Sequence, residues 1–158
     1  MGIHFLISVE ASIVETSGNS AGSTWDNTHP GLIDNAGLAG THADVSSKSR
    51  CAVSQTGSTR PYLSMKLAAT ETILKVQLAF RTDGYTNQGK NVLVQVGTGP
   101  AYTPNRRVCR AIGQLTGAGL VDYHCDWDDT VSHQGQYVIL SNDQTYLTIC
   151  EAKVFVLQ

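Results

Sequence analysis

Apolar and polar residues alternate through most of the second half of the chain. In "TILKVQLAFR", Leu74, Val76, Leu78 and Phe80 fall on one side, with Lys75, Gln77, Ala79 and Arg81 on the other. "NVLVQVG" sets Val92, Val94 and Val96 together. "GQYVILS", "TYLTIC" and "EAKVFVLQ" add three short runs rich in β-branched and aromatic residues. A period of two belongs to a strand with one buried face. "RPYLSMKL" is a further run, which Pro61 restricts to a strand start or a sheet edge. Turn signals such as "TSGNSAGS", "DNAGLAG", "QTGSTRP", "GTGPAYTPN" and "SNDQ" separate the runs. Helical periodicity is nowhere sustained, and no internal repeat is visible. The pattern predicts an all-β sandwich or jelly-roll, a single domain over residues 1–158.

Composition agrees with that reading and narrows the partners. The 158 residues include 15 Gly, only 15% are charged, and the net charge is −2. Such a balance argues against nucleic acid, which requires a clustered basic surface. No apolar stretch approaches the length of a membrane span. The opening "MGIHFLISVEAS" is too short, and too quickly interrupted by Glu10, to read as a signal peptide; an edge strand remains an open reading.

Four cysteines, Cys51, Cys109, Cys125 and Cys150, form no C-x-x-C pair, which argues against a zinc ribbon or a thioredoxin-like site. An even count in a Thr/Ser/Gly-rich domain reads as two disulfides and a secreted, extracellular protein; four reduced, buried thiols are the alternative. Three pairings are open. The attractive one is Cys109–Cys125 closing a compact loop, with Cys51–Cys150 tying the first third to the last strand. On the chain-entropy model these contribute about 3 and nearly 5 kcal/mol.

Three groups of residues carry candidate chemistry. Arg81 and Asp83 share strand parity just past Phe80, about 6.5 Å apart. A guanidinium braced by a carboxylate is a fixed fork of donors suited to neighbouring sugar hydroxyls. Tyr85 offers a flat platform for a pyranose, and Gly84 lets the backbone turn beside it. An ordinary surface ion pair closing a strand end is the alternative. Asp34, Asn35 and Glu151 are candidate oxygen ligands for a structural Ca²⁺ if the long disulfide brings their segments together; turn-forming Asp/Asn and a solvated Glu are the plainer reading. "YHCDWDD" gathers His124, Asp126, Asp128 and Asp129, an acidic loop with nothing in the sequence to raise a carboxyl pKa for glycoside chemistry. No triad pattern, phosphate loop or dinucleotide fingerprint is present, so the chain reads as non-catalytic.

Taken in order, these pieces resemble the F-type lectin (fucolectin) family, a jelly-roll akin to discoidin and coagulation-factor C domains. The resemblance runs from about Ala11 to the C-terminus. It is carried by "HCDWDDTVSHQGQYVILSNDQTYLTICEAKVFV", with a Cys, a G-x-Y-V strand and an L-T-x-C-E strand, and by "RPYLSMKL", "FRTDG" and "VQVGTG". It implies the pairings Cys51–Cys150 and Cys109–Cys125, and a calcium held between the loop from Asp34 to about Arg50 and Glu151. The sugar site departs from the family pattern. "CAVSQT" puts Val53 or Ser54 where fucose-binding members carry a histidine, Gly84 and Tyr85 replace adjacent cysteines, and Gln88 stands near the second arginine. Only Arg81 and Asp83 match. An apolar wall at Val53 with amides at Gln55, Asn87 and Gln88 suits an acetamido group. The expected ligand is therefore a terminal N-acetylated amino sugar, GlcNAc or GalNAc, bound by a homo-oligomer for avidity in innate defence. One rival is a fucose lectin with His42 in the histidine's place. Another is a discoidin-like membrane or cell adhesion module, which the Ser/Thr/Gly-rich loops disfavour.

Overall fold

The computed structural model describes residues 6–9, 11–16, 52–55, 61–80, 86–104, 106, 108–111, 119–126 and 133–157. Ten strands account for most of them: β1 (Leu6–Val9), β2 (Ala11–Thr16), β3 (Ala52–Gln55), β4 (Tyr62–Phe80), β5 (Leu93–Gly97), β6 (Val108–Ala111), β7 (Gly119–His124), β8 (Gln134–Ser141), β9 (Tyr146–Ile149) and β10 (Glu151–Leu157). A 3-10 turn covers Thr86–Gly89.

Strand β4 organises the sandwich. The apolar runs of "RPYLSMKL" and "TILKVQLAFR", which the alternation separates, are joined in one continuous 19-residue strand from Tyr62 to Phe80. Its first half pairs with β2 and β8, and its second half with β10 and β7. One strand thus serves both sheets. The change of sheet is made by an interruption: Lys66 lies opposite Tyr137 but Glu71 opposite Gly135, so five steps on β4 answer two on β8. The surplus backbone is not left bare, since Gln136 Nε2 donates to the carbonyls of Leu67 and Ala68 at 3.1 and 3.3 Å. A second irregularity skips Leu74 between Lys75 and Ile73 in the pairing with β10. Leu74, inward on simple parity, is therefore only half-buried, and Ile73 takes the core position.

On the far side β6 pairs with both β5 and β7, closing the ring β4–β7–β6–β5–β8. β1 ends the sheet order beside β10, the edge position open to the N-terminal run. β3 and β9 form a separate two-stranded sheet. The core between the layers holds Leu63, Met65, Val76, Leu78, Phe80 and their neighbours, with Val92, Val94 and Val96 inward as the alternation predicts. Burying a side chain of this size stabilises by about 1.5–3 kcal/mol each. The Cys109–Cys125 disulfide joins β6 to the residue after β7. Cys150 is also disulfide-bonded, while Cys51 lies outside the described residues. Tyr123 is fully buried in this core, and burial pushes its phenol well above the ordinary range.

Candidate functional site

The connection from β8 to β10, which contains β9, is tied to both ends of β4. The Asn142 amide donates to the Pro61 carbonyl at 3.4 Å, just before β4 begins. The Cys150 amide donates to the Ala79 carbonyl at 2.8 Å, just before β4 ends. β3 lies along β9, and the 3-10 turn packs against β9. β10 starts opposite Ala79, and Phe80 faces Gly119 of β7. Five separate pieces of chain therefore meet at one end of the sandwich, around the point where β4 runs out at a fully buried Phe80.

Several of the expected binding positions are carried by these pieces. Val53 lies in β3 opposite Thr148, Gln88 lies in the 3-10 turn, and Glu151 opens β10 opposite Ala79. For these three the backbone position is what the structure gives. Asn87, also in the turn, is exposed. Arg81, Asp83, Gly84 and Tyr85 lie outside the described residues, between the described Phe80 and Thr86; His42, Asp34 and Asn35 lie outside them as well. Among the described residues, no group of three or more His, Cys, Asp or Glu side chains is placed to hold a metal ion. Of the acidic run, His124 Nδ1 is 3.7 Å from a well-exposed Asp126 carboxylate, and Asp128 and Asp129 lie outside the described residues.

The same end carries a polar cluster that sequence reasoning missed. The turn after β8 is held by Asn142, whose Nδ2 donates to the Tyr146 carbonyl at 3.0 Å and whose Oδ1 accepts from the Gln144 amide at 3.3 Å. This is the local side-chain-to-backbone bonding that asparagine brings to turns. Next to it Asp143 accepts from Asn91 Nδ2 at 3.2 and 3.1 Å and from Gln144 Nε2 at 2.6 Å. Asn91 follows the 3-10 turn with φ of 53°, a left-handed backbone that asparagine tolerates better than other non-glycine residues. In sequence "SNDQ" is a turn signal and Asn91 only the first residue of the run "NVLVQVG". The pairing of Asn91 with Asp143 spans 52 residues of sequence.

No protein-family model matches the chain, and no curated protein matches it in sequence. Solved structures do. The lectin domain of lectinolysin complexed with Lewis B antigen aligns over 94% of this chain and 92% of its own at 18% identity, with a TM-score of 0.61. The serum F-lectin (fucolectin) of striped bass, Morone saxatilis, covers 97% of this chain at 17% identity and a TM-score of 0.58; this chain spans 46% of its length. The CBM32 module of AlyQ, in complex with 4,5-unsaturated mannuronic acid, covers 94% of this chain and 98% of its own at 16% identity and 0.56. The β-sandwich of this chain is the fold shared by F-type lectins and CBM32 modules.

Proposed function

We propose that this chain is a non-catalytic carbohydrate-binding module that recognises terminal N-acetylated amino sugars, GlcNAc or GalNAc, on surface glycans. The observation that carries this reading is the convergence of β3, the end of β4 and the 3-10 turn in a fold whose solved neighbours include a lectin domain complexed with Lewis B antigen. In this reading Arg81, braced by Asp83, donates to adjacent ring hydroxyls. Tyr85 supplies the stacking face. Val53 walls the acetamido methyl, and Gln88 meets its carbonyl. A secreted homo-oligomer would present several such sites at once, which raises avidity without any new contact. Asp34, Asn35 and Glu151 would hold a structural Ca²⁺; EDTA would then lower the melting temperature and added Ca²⁺ would restore it.

The test is a glycan array on the disulfide-intact protein, followed by calorimetry on Arg81→Ala. Binding confined to GlcNAc- or GalNAc-bearing structures, and lost in Arg81→Ala, supports the reading. The fold shared with a fucolectin favours fucose as the second reading. Fucose-dominated binding that is lost in His42→Ala would establish that one, whereas unchanged binding would remove His42 from it. A blank array would sink both.

A further inference from the structure

We propose that β1 is a docking edge for a second copy of this chain, pairing antiparallel with the same strand across a two-fold axis at Ser8. The inference names an assembly for the avidity in the glycan-binding reading, and it rests on that reading only for what the assembly is for. Among the described residues β1 closes the sheet order, and its one pairing is with β10, from Leu6 opposite Leu157 to Val9 opposite Val154. In an antiparallel pair every second residue turns both its N–H and its C=O away from the neighbour. The outer edge of β1 is therefore a row of backbone donors and acceptors, on which another strand can add. The devices that usually discourage addition are absent from it. Leu6, Ile7, Ser8 and Val9 include no charge, proline or glycine, and their register with β10 runs without a shift. β2, which pairs with β4, differs on both counts: it contains Glu15, and its register shifts between Ile13 and Glu15.

Ile7 and Val9 supply the apolar part of the edge. Both pack against the core and both stay only partly buried, so the core layer runs out to the sheet edge and ends there half-covered. The pleat then restricts the register. A two-fold axis normal to the sheet keeps each face on its own side, and residues directly opposite one another share a face. Ile7 must therefore lie opposite an odd-numbered position of the second copy, so the axis falls between a residue and its own counterpart. With Ser8 opposite Ser8, Ile7 meets Val9 of the second copy and Val9 meets its Ile7. Each half-covered apolar side chain is then covered by the other, and position 8, on the other face by the alternation, brings two small residues together. With Ile7 on the axis instead, Val9 would find no counterpart within the strand. The edge is thus complementary to itself, which a two-fold interface demands and an unrelated strand does not supply. Four residues on each side make a small contact, so the dimer should dissociate in the range of roughly 10–100 µM.

The experiment is sedimentation equilibrium of the full chain, wild type and Ser8→Lys, with oxidative cross-linking of Ser8→Cys alongside. Wild type should pass from monomer to dimer as concentration rises. Ser8→Lys sets two ammonium groups directly opposite on the axis and should weaken the dimer at least tenfold, with the monomer's melting temperature unchanged. In Ser8→Cys the opposed positions come within disulfide reach, so a mild oxidant should give a covalent dimer that reductant splits. Lys153→Cys, on the neighbouring strand β10, should give none. A wild type that stays monomeric to about 1 mM, ten times the weakest affinity expected, overturns the proposal. So does a dimer that Ser8→Lys leaves intact, a Ser8→Cys that fails to cross-link, or an assembly that grows beyond two copies. Titration of each variant with GlcNAc keeps the two readings apart. A dimer that binds no sugar retains the edge and removes the proposed function, whereas a monomer that binds GlcNAc removes the edge alone.

Discussion

The outer faces of the two sheets are built from the same alternation and end up in opposite states. On the sheet containing β10, β4 and β7, the outward row Phe155, Lys75, His124 and Arg110 stays half-buried or exposed. Lys75 sits with its Nζ 4.4 Å from the Phe155 ring centroid and 3.4 Å from Asp122, which also accepts from Gln77 Nε2 at 2.8 Å. On the other sheet the outward row Ser64, Ile139 and Gln95 is almost wholly buried. The chain leaving β5 returns over that row. Gln95 grips Thr103 through both its amide N–H and its amide oxygen, at 2.9 and 3.5 Å, and the Ser64 hydroxyl donates to the Pro100 carbonyl. Arg106 lies against Gly97, with Nη2 donating to the Thr103 hydroxyl at 3.1 Å. A polar outward residue can bond to water on an open face but must find a protein partner on a covered one, because a buried polar group without a partner costs free energy.

The comparison is broken hardest at Gly135. A Cβ added there meets the Gly97 carbonyl oxygen at 2.5 Å and Val96 Cγ1 at 2.8 Å, and the carbonyl cannot swing aside. Gly135→Ala should cost about 1–3 kcal/mol by overpacking, read from urea melts. Gly97→Ala meets the Arg106 guanidinium carbon at 2.6 Å, the far end of a flexible side chain, and should cost less. If the two variants are equally stable, the covering segment is not held as described.

Next in size is a matched pair of glutamines. Gln95→Ala removes the acceptor of the Thr103 amide and one of the two donors to the Thr103 carbonyl, the Arg106 amide being the other, and should cost about 1–2 kcal/mol on the covered face. Gln77→Ala on the open face removes a bond that water replaces and should stay within about 0.5 kcal/mol. Equal losses would erase the distinction between the faces.

Tyr123 shows what happens where covering is not matched by pairing. It is buried and its hydroxyl has no partner among the described residues, so desolvation holds the phenol protonated in the folded state. The unfolded chain ionises near the ordinary value of about 10. Stability is therefore complete below that pH and falls as pH rises above it, by up to about 1.4 kcal/mol per unit. Tyr123→Phe should leave neutral-pH stability unchanged or higher and flatten the alkaline slope.

What the sequence made legible follows from the same physics. Period-two alternation finds inner faces, and it located β4, β5, β8, β9 and β10 and the inward valines of β5, but not β2, β3, β6 or β7. It is silent about outer faces, where Lys75 and Gln95 look alike until the chain beyond Gly97 is placed. That chain reads as a Gly/Thr/Pro turn and is a covering layer. Parity also fails at a bulge, which is why Leu74 and Ile73 exchange roles. Of the cysteine pairings the resemblance implied, Cys109–Cys125 is found, while the R-x-D residues Arg81 and Asp83 lie outside the described residues. The Asn91–Asp143 bond was not legible, since it joins two segments that only the β8–β9 connection brings together.

The smallest expected effect separates the faces by mechanism. Asp122→Asn on the open face keeps the side-chain size and the bond from Gln77, and removes the charge opposite Lys75. The pair is partly exposed, so its contribution is screened and its loss should be under about 1 kcal/mol at low salt. At 1 M salt, where the Debye length falls to about 3 Å, wild type and variant should unfold at the same urea midpoint. Gln95→Ala removes neutral hydrogen bonds under a covering segment, so its deficit should persist undiminished at high salt. A Gln95→Ala deficit that also faded with salt would mean that water and ions reach the covered row, and the contrast between the two faces would be one of degree.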